Sequence, residues 1–173
     1  MLLDILKARR SIRKYQDKKI EQEMINLLIK AALLAPSSRS IRPWQFIVVT
    51  DTQLLQELSL CRNPGPRFVE GAPLAIVVIA DRVASDVWVE DASIASTLIQ
   101  LMAQDIGLGS CWIQVRNRNY SEQESTESYI KRLLEIPEQF SVENIIAIGY
   151  PAEEKKSYDE ESLLYPKIHY NKF

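Results

Sequence analysis

Basic side chains are concentrated near the start of the chain. Seven lysine and arginine residues lie between positions 7 and 19, together with a single acidic residue, Asp17. They are Lys7, Arg9, Arg10, Arg13, Lys14, Lys18 and Lys19. A guanidinium binds a phosphate through two parallel hydrogen bonds, and Ser11 adds a hydroxyl donor within the cluster. The pattern therefore predicts a site for a phosphate monoester, although a solvated basic helix end would have the same composition.

A polar loop bounded by prolines follows residue 35. Residues 36–44 read PSSRSIRPW, with serines at 37, 38 and 40 and arginines at 39 and 42. Proline restricts the backbone, and serine hydroxyls both donate and accept hydrogen bonds. The loop could therefore present polar groups to the edge of a planar ring. A plain helix-to-strand connector, whose serines bond to nearby backbone, would use the same residues.

A third segment, GLGSCW at residues 107–112, also has two interpretations. It fits a left-handed helix end followed by a buried strand with a core cysteine. It also fits a backbone edge presented to a flat ligand. The segment by itself favours the core interpretation.

Several kinds of chemistry lack the residues they need. His169 is the single histidine, so a Ser-His-Asp triad or a site with several histidine ligands is excluded. Cys61 and Cys111 form no CxxC pair, which argues against zinc, iron–sulfur and dithiol chemistry and fits a reducing cytoplasm. The five glycines form neither a Walker loop nor a dinucleotide-binding fingerprint.

Composition indicates a soluble globular protein of one domain. The 173 residues are 46% hydrophobic and 25% charged, with a net charge of −2. That charge gives no general attraction to nucleic acid or to an anionic membrane. The start, MLLDILK, has an acid where a signal peptide would be basic, and no apolar run is long enough to span a membrane. We therefore expect a cytoplasmic protein that binds neither nucleic acid nor a membrane.

Apolar periodicity predicts five helices and four strands. A short helix covers Leu2 to Leu6, and the others cover residues 21–35, 52–60, 86–106 and 122–135. The strands cover residues 45–50, 73–80, 110–115 and 143–150, and the unbroken apolar run at 73–80 indicates burial on both faces. Residues 151–173 are acidic with spaced aromatics, as in an arm laid over another surface. The prediction is one α+β domain, residues 1–150, with a C-terminal arm, residues 151–173.

These segments occur together in an order that resembles the nitroreductase family of flavin enzymes. The strings are RRSIRKY, APSSRSIRPWQF, EGAPLAIVVIAD, GLGSCWI, IGYP and PKIH. The resemblance covers essentially the whole chain. It implies a three-layer fold with a central mixed or antiparallel sheet flanked by helices. It also implies an intertwined homodimer, with FMN at the subunit interface and each C-terminal arm wrapped around the partner.

The resemblance also assigns roles by position. The residues that align with contacts to the FMN phosphate and to the pyrimidine edge of the ring are Arg9, Arg10, Ser11 and Arg13. Those that align with the loop approaching the same flavin from the other subunit are Pro36, Ser37, Ser38 and Ser40. Those that align with the strand whose backbone flanks the flavin N5 region are Cys111, Trp112, Ile113 and Gln114. Lys167 and His169 resemble the late basic pair that completes the phosphate site, with an imidazole where an arginine is expected.

The chain departs from the family pattern in two places. Ser40 and Arg42 stand where many members have asparagine and glutamine. Before the strand at 73–80 the chain reads NPGPRF, which leaves Asn63 or Arg67 for the polar contact to the flavin that members often make there.

The implied activity is hydride transfer from NADH or NADPH to a flat electrophile, such as a nitroaromatic or a quinone, with ping-pong kinetics. Arg13 would stabilise negative charge at the pyrimidine edge, and no side-chain nucleophile is needed. Two alternatives stay open. One is a specialised flavin enzyme of the dehalogenase or flavin-fragmenting type, and the other is a flavin-binding or oligomeric protein of the same fold without turnover.

Overall fold

The computed structural model describes all 173 residues, which form five α-helices and four β-strands. The helices are α1 (Leu2–Ala8), α2 (Gln22–Leu33), α3 (Thr52–Ser59), α4 (Trp88–Asp105) and α5 (Thr126–Leu134). The strands are β1 (Trp44–Val49), β2 (Leu74–Asp81), β3 (Gly109–Gln114) and β4 (Phe140–Gly149). These are the elements expected from the sequence, in the expected order. Gly107, which follows α4, has the predicted left-handed conformation, with φ of 79°.

Most boundaries agree with the sequence expectation to within two residues, and two differ by three residues or more. α5 begins at Thr126 rather than at residue 122, because the Ser125 hydroxyl caps the helix by accepting a hydrogen bond from the Ser128 N–H. β4 begins at Phe140 rather than at residue 143, because its pairing with β2 continues to Asp81. The register shifts between Val78 and Ile79, so Glu143 has no opposite residue on β2.

The four strands form one sheet in the order β1-β2-β4-β3, and every pairing is antiparallel. The sheet is therefore antiparallel throughout, which settles the expectation of a mixed or antiparallel sheet. Side chains of β2 alternate between its two faces, because successive residues of a strand point in opposite directions. Leu74, Ile76 and Val78 pack with α2 and α4. Ala75, Val77 and Ile79 pack with α3 and α5 on the other face, so the predicted three-layer α+β fold is confirmed.

The segment that follows α1 passes over the start of edge strand β3 and forms a backbone hydrogen bond with it. The Ile12 N–H donates to the Ser110 carbonyl at 3.0 Å, and the Tyr15 hydroxyl donates to the Ile12 carbonyl at 2.6 Å. Gly109 makes this close crossing possible, since a Cβ at that position would lie 2.8 Å from the Cβ of Ile12. Ile12 itself is buried. The basic cluster is thus held against the start of β3.

The C-terminal segment runs along the N-terminal residues of the same chain before it becomes exposed. The Ala152 N–H donates to the Lys14 carbonyl at 2.8 Å, and the Tyr158 N–H donates to the Lys7 carbonyl at 2.9 Å. Large apolar side chains beyond this point are solvent-exposed in the single chain, among them Leu164, Tyr165, Ile168, Tyr170 and Phe173. Exchange of this segment between two chains stays a prediction. None of the helices combines the length and apolar character needed to cross a membrane.

Candidate active site

The four cluster residues predicted to contact the cofactor lie together around one cavity. Arg9, Arg10, Ser11 and Arg13 line a cavity of about 270 Å³ together with Lys155 and Tyr158. No acidic residue lines it. None of the three arginines forms an ion pair with a carboxylate. The chemistry of this donor set fits a phosphate dianion, because guanidiniums without a carboxylate partner and a hydroxyl line one space.

The C-terminal segment supplies the other side of this cavity. An Arg10 side-chain N–H donates to the Lys156 carbonyl, and the Arg10 guanidinium lies 4.5 Å from the centre of the Tyr158 ring. The Glu153 carboxylate accepts a hydrogen bond from the Arg13 N–H at 2.6 Å, which lowers the pKa of Glu153. Sequence reasoning missed Lys155 and Tyr158, because the segment reads as acidic and only the folded chain brings it to the cluster.

Strand β3 presents alternate side chains to the core and to the surface. Cys111 and Ile113 are buried, whereas Trp112 and Gln114 are partly exposed. The Trp112 indole donates to the Gln114 side-chain carbonyl at 2.9 Å, and the Gln114 amide donates to the Arg116 carbonyl at 3.0 Å. Because β3 pairs with a strand on one side alone, the backbone of residues 111–114 has a free edge. A flat ligand could lie against that edge.

The Cys111 thiol lies beneath this region but is not a reactive group. Burial raises its pKa, and the guanidiniums of Arg13 and Arg62 offset part of that increase. A thiol with a raised pKa stays protonated near neutral pH and is a poor nucleophile. Burial also raises the pKa of the Cys61 thiol, to about 11. Both cysteines are buried and free, so neither is available as a surface nucleophile.

The serine loop, residues 36–42, is held in a strained conformation before β1. Arg39, Ser40 and Arg42 all have left-handed backbone, with φ of 52°, 56° and 52°. Such conformations cost free energy outside glycine and persist only where surrounding contacts impose them. Here the Arg42 N–H donates to the Ser37 hydroxyl at 2.7 Å, and the Ser38 N–H donates to the Asp91 carboxylate at 2.8 Å.

Asp91 is a functional candidate that sequence reasoning did not identify. It lies near the start of α4 and is 2% exposed. Its second carboxylate oxygen accepts a hydrogen bond from the Ser85 hydroxyl at 3.3 Å. The signal in the sequence was a carboxylate on the otherwise apolar stripe of this helix, where an acid needs specific partners.

One chain does not bring the serine loop to the basic cluster. The loop precedes β1, whereas residues 9–13 lie against β3, and these are the two edge strands of the sheet. Three strand spacings separate the two edges, which is about 14 Å at the usual distance between neighbouring strands. The starts of β1 and β3 also lie opposite Ser141 and Ile148 of β4, which are about 23 Å apart along that strand. The serine loop therefore lies too far from the basic cluster of its own chain to contact it. This holds for the four predicted loop residues, Pro36, Ser37, Ser38 and Ser40.

Lys167 and His169 do not line the cluster cavity within the single chain. Both are exposed, and the His169 ring packs against Phe173 with ring centres 4.3 Å apart. Their predicted part in the phosphate site stays a prediction. No group of three or more histidine, cysteine or acidic side chains is arranged to hold a metal ion.

Comparison with known proteins identifies the class to which this fold and site belong. The model of the nitroreductase family matches residues 6–63 and 59–150. The chain therefore belongs to the nitroreductase family, and the resemblance seen in the sequence is confirmed.

Individual relatives agree with this assignment. An FMN-dependent nitroreductase of Clostridium difficile R20291 superposes with a TM-score of 0.98 at 54% identity, with 99% of each chain covered. An Archaeoglobus fulgidus protein named NADH dehydrogenase/NAD(P)H nitroreductase is 39% identical over 99% of this chain and 98% of its own length. An iodotyrosine deiodinase of Thermotoga neapolitana is 24% identical over 100% of this chain and 99% of its own length.

Proposed function

We propose that this protein is an FMN-dependent oxidoreductase that passes hydride from NADH or NADPH to a flat electrophilic acceptor. The observation that carries the proposal is the cavity in which Arg9, Arg10 and Arg13 meet without a carboxylate partner, beside the free edge of β3. FMN has the phosphate monoester and the planar ring that these two features fit. When bound, it supplies the hydride-accepting and hydride-donating chemistry that amino-acid side chains lack.

The residues of the chain would hold and polarise the cofactor. Arg9, Arg10 and Ser11 bind the phosphate through charge-assisted hydrogen bonds. Arg13 would place a fixed positive charge at the pyrimidine edge of the ring, where it would favour reduction. Its guanidinium lies 5.9 Å from the centre of the Phe68 ring, so it is held beside an aromatic surface. The free backbone edge of residues 111–114 faces the ring.

A second copy of the chain would complete the site. The serine loop and the basic cluster lie at opposite edges of one sheet, so a single flavin can contact both only if they come from different chains. The exposed apolar side chains of the C-terminal segment and of α1, including Leu2 and Leu3, offer surface for such an interface. We therefore propose a homodimer with a flavin at each of two equivalent seams, completed by Lys167 and His169.

In the proposed site one face of the bound ring would stay open, and the kinetic scheme would follow from that. NAD(P)H and the acceptor would occupy that face in turn, which gives ping-pong kinetics. For a nitroaromatic the first two-electron cycle balances as NAD(P)H + H⁺ + R–NO₂ → NAD(P)⁺ + R–NO + H₂O. Water supplies the protons, since both thiols are buried and His169 would belong to the phosphate end of the site. We place this activity in the cytoplasm, where reduced nicotinamide is available and Cys61 and Cys111 stay reduced.

Reductive dehalogenation is the second candidate, because the Thermotoga neapolitana deiodinase is similar over the full length. Specialised flavin enzymes of this kind need an elaborated lid over the substrate. The alignment with that deiodinase spans 201 positions and this chain has 173 residues, so the chain has fewer residues from which to build a lid. General reduction of flat acceptors therefore fits better.

Flavin binding and anaerobic reduction test the proposal. Purified protein incubated with FMN and desalted should be yellow, and NADH or NADPH should bleach the visible flavin band in the absence of oxygen. A quinone such as menadione should then restore the band. Protein that stays colourless would contradict the proposal. A yellow protein that neither nucleotide reduces would instead be a flavin-binding protein without turnover.

A further inference from the structure

A second basic cavity lies beside the site, and the proposed function does not use it. Two of its lining residues, Asn63 and Arg67, are the ones that the family resemblance leaves for a polar contact to the flavin. The cavity has a volume of about 410 Å³ and opens between the loop at residues 60–67 and the loop at residues 119–121. Two arginines, Arg62 and Arg67, line it, with Asn63, Tyr120 and Ser121 as further polar groups. No acidic residue lines this cavity either.

The two arginines have no partners of their own. Neither forms an ion pair with a carboxylate. The Nε atom of Arg62 is buried and makes no hydrogen bond. A buried donor without an acceptor is unfavourable, and such groups in native proteins usually indicate a missing partner. An anion in the cavity would instead meet the terminal nitrogens of the two guanidiniums that line it.

The cavity adjoins the proposed flavin site. Arg67 is followed by Phe68, whose ring lies 5.9 Å from the Arg13 guanidinium. The Cys111 thiol on β3 lies close enough to both Arg13 and Arg62 for each to oppose the increase of its pKa. The loop that carries Tyr120 is in turn part of the connection that follows β3. A group in this cavity would thus lie near the strand edge proposed to face the flavin ring.

The walls of the cavity are held in place before any ligand arrives. The Tyr120 ring stacks on Tyr129 with ring centres 4.4 Å apart, and the Tyr129 hydroxyl donates to Glu57 at 3.0 Å. On the other wall, a Cβ at Gly65 would lie 2.6 Å from the Ser59 carbonyl oxygen, so the loop is tightly packed against the end of α3. A preformed cavity loses little conformational freedom on binding.

FMN has a single phosphate, and the proposed function already places it at Arg9, Arg10 and Ser11. We therefore propose that Arg62 and Arg67 form a separate subsite for the anionic group of a substrate that occupies the open face of the flavin. This inference rests on the proposed function. The anion is a carboxylate of the acceptor or a phosphate of the nicotinamide nucleotide, since a guanidinium pair binds both.

Kinetics of the holoenzyme can separate these two sources. In a ping-pong scheme kcat/KM for each substrate reports on its own half-reaction. One arm compares kcat/KM for 4-nitrobenzoate with kcat/KM for its neutral analogue 4-nitrobenzamide, in wild type and in Arg62→Gln. The other arm measures kcat/KM for NADH and for NADPH with menadione as acceptor.

If the subsite takes the carboxylate, Arg62→Gln should lower the preference for 4-nitrobenzoate over 4-nitrobenzamide about tenfold, which is the usual loss for one charge-assisted hydrogen bond. Arg62→Lys should lower it less, because it keeps the charge and loses the planar fork. If the subsite takes a nucleotide phosphate, kcat/KM should fall instead for NADH or NADPH. Arg82→Gln, an exposed arginine at a different cavity, should change neither preference.

Direct binding provides a readout that does not depend on turnover. Isothermal titration of benzoate and of NADP⁺ into wild type, Arg62→Gln and Arg67→Gln should show weaker binding of at least one ligand in both variants. Arg67 is exposed, so its substitution should preserve the fold if that of the partly buried Arg62 does not.

Unchanged binding and unchanged preferences in both variants would overturn the subsite and leave the proposed function intact. Loss of FMN by Arg62→Gln would also overturn it, because Arg62 would then belong to the cofactor site. A wild type that binds no FMN would contradict the proposed function, and the titrations would still decide whether the cavity binds anions.

Discussion

The buried Asp91 carboxylate accepts a hydrogen bond from the Ser38 N–H at 2.8 Å and so joins the serine loop to α4. Asp91→Ala would leave that N–H and the Ser85 hydroxyl without their acceptor, while the loop keeps three left-handed residues. We expect a loss of about 1–3 kcal/mol in the free energy of unfolding, measured by urea denaturation. We also expect weaker FMN binding. Asp86→Asn, which removes an exposed ion pair with Arg39, should cost about 1 kcal/mol or less. Equal effects of the two substitutions would refute a special role for Asp91.

Gly109 provides a test of how the basic cluster is positioned. In Gly109→Ala the new Cβ would lie 2.8 Å from Ile12, so the segment that carries Arg9 to Arg13 must move. We expect FMN affinity to fall at least about tenfold and stability to fall by about 1–3 kcal/mol, as for other overpacked positions. Gly71→Ala is the matched control, because its Cβ would meet a single atom at 3.8 Å. A variant at 109 that binds FMN normally would show that this crossing does not position the site.

Arg13→Ala should lose flavin before it loses the fold. The side chain is exposed and makes no ion pair, so its removal should leave the melting temperature of the apoprotein nearly unchanged. FMN affinity should fall about tenfold or more with the loss of a charge-assisted contact. Fluorescence titration with FMN measures this directly, and Arg118→Ala, on the loop after β3, controls for loss of one positive charge. Full FMN affinity in Arg13→Ala would show that its assignment is wrong.

Removal of residues 151–173 should produce monomers or aggregates, because the proposed interface loses most of its apolar side chains. Light scattering coupled to size-exclusion chromatography measures the mass. A shorter deletion of residues 161–173 keeps the contacts of residues 151–160 with the N-terminal segment and isolates the contribution of the exposed end. A monodisperse dimer after the longer deletion would count against the wrapped arm.

Glu143 should make stability depend on pH. Its carboxylate is buried and one oxygen has no hydrogen-bond partner, and burial raises its pKa in the folded state. Arg116 and Ser93 favour the charged form, whereas Glu90 and Glu127 oppose it. The folded state therefore binds more protons than the unfolded state, so this group destabilises the fold increasingly as pH rises above the ordinary glutamate pKa.

Glu143→Gln should remove that dependence. Relative to wild type it should raise the free energy of unfolding near neutral pH, and the gain should vanish in acid, where both side chains are neutral. Urea denaturation across this pH range measures the difference. Glu70→Gln, which replaces an exposed carboxylate that forms no ion pair, is the control for the loss of one negative charge. A difference that stays constant with pH would mean that Glu143 is not the titrating group.

Local patterns predicted the elements but not their arrangement in space. The apolar run at residues 73–80 and the glycine at 107 specify a central strand and a helix end through their own chemistry. The order of strands depends on long-range pairing, so the separation of the serine loop from the basic cluster could not be read from spacing.

The site was predictable only where its residues are close in sequence. Arg9, Arg10, Ser11 and Arg13 form one motif, and the structure brings them to one cavity. The contributions of Lys155 and Tyr158 depend on how a distant acidic segment folds back, and no local signal marks them. The sequence singled out Arg67 only as a possible flavin contact. Its cavity with Arg62 could not be predicted, since that cavity needs the loop that carries Tyr120 and Ser121 after β3.

The central claim is that unpaired arginines hold the phosphate of a flavin, and comparison of FMN with riboflavin tests it most directly. The two ligands share the same ring and differ by the phosphate. Titration of the apoprotein should show FMN binding at least about a hundredfold more tightly than riboflavin, as expected for two charge-assisted hydrogen bonds. An Arg9→Gln, Arg10→Gln double variant should bind the two ligands with nearly equal affinity. Equal affinities in the wild type, or no binding of either ligand, would contradict the claim.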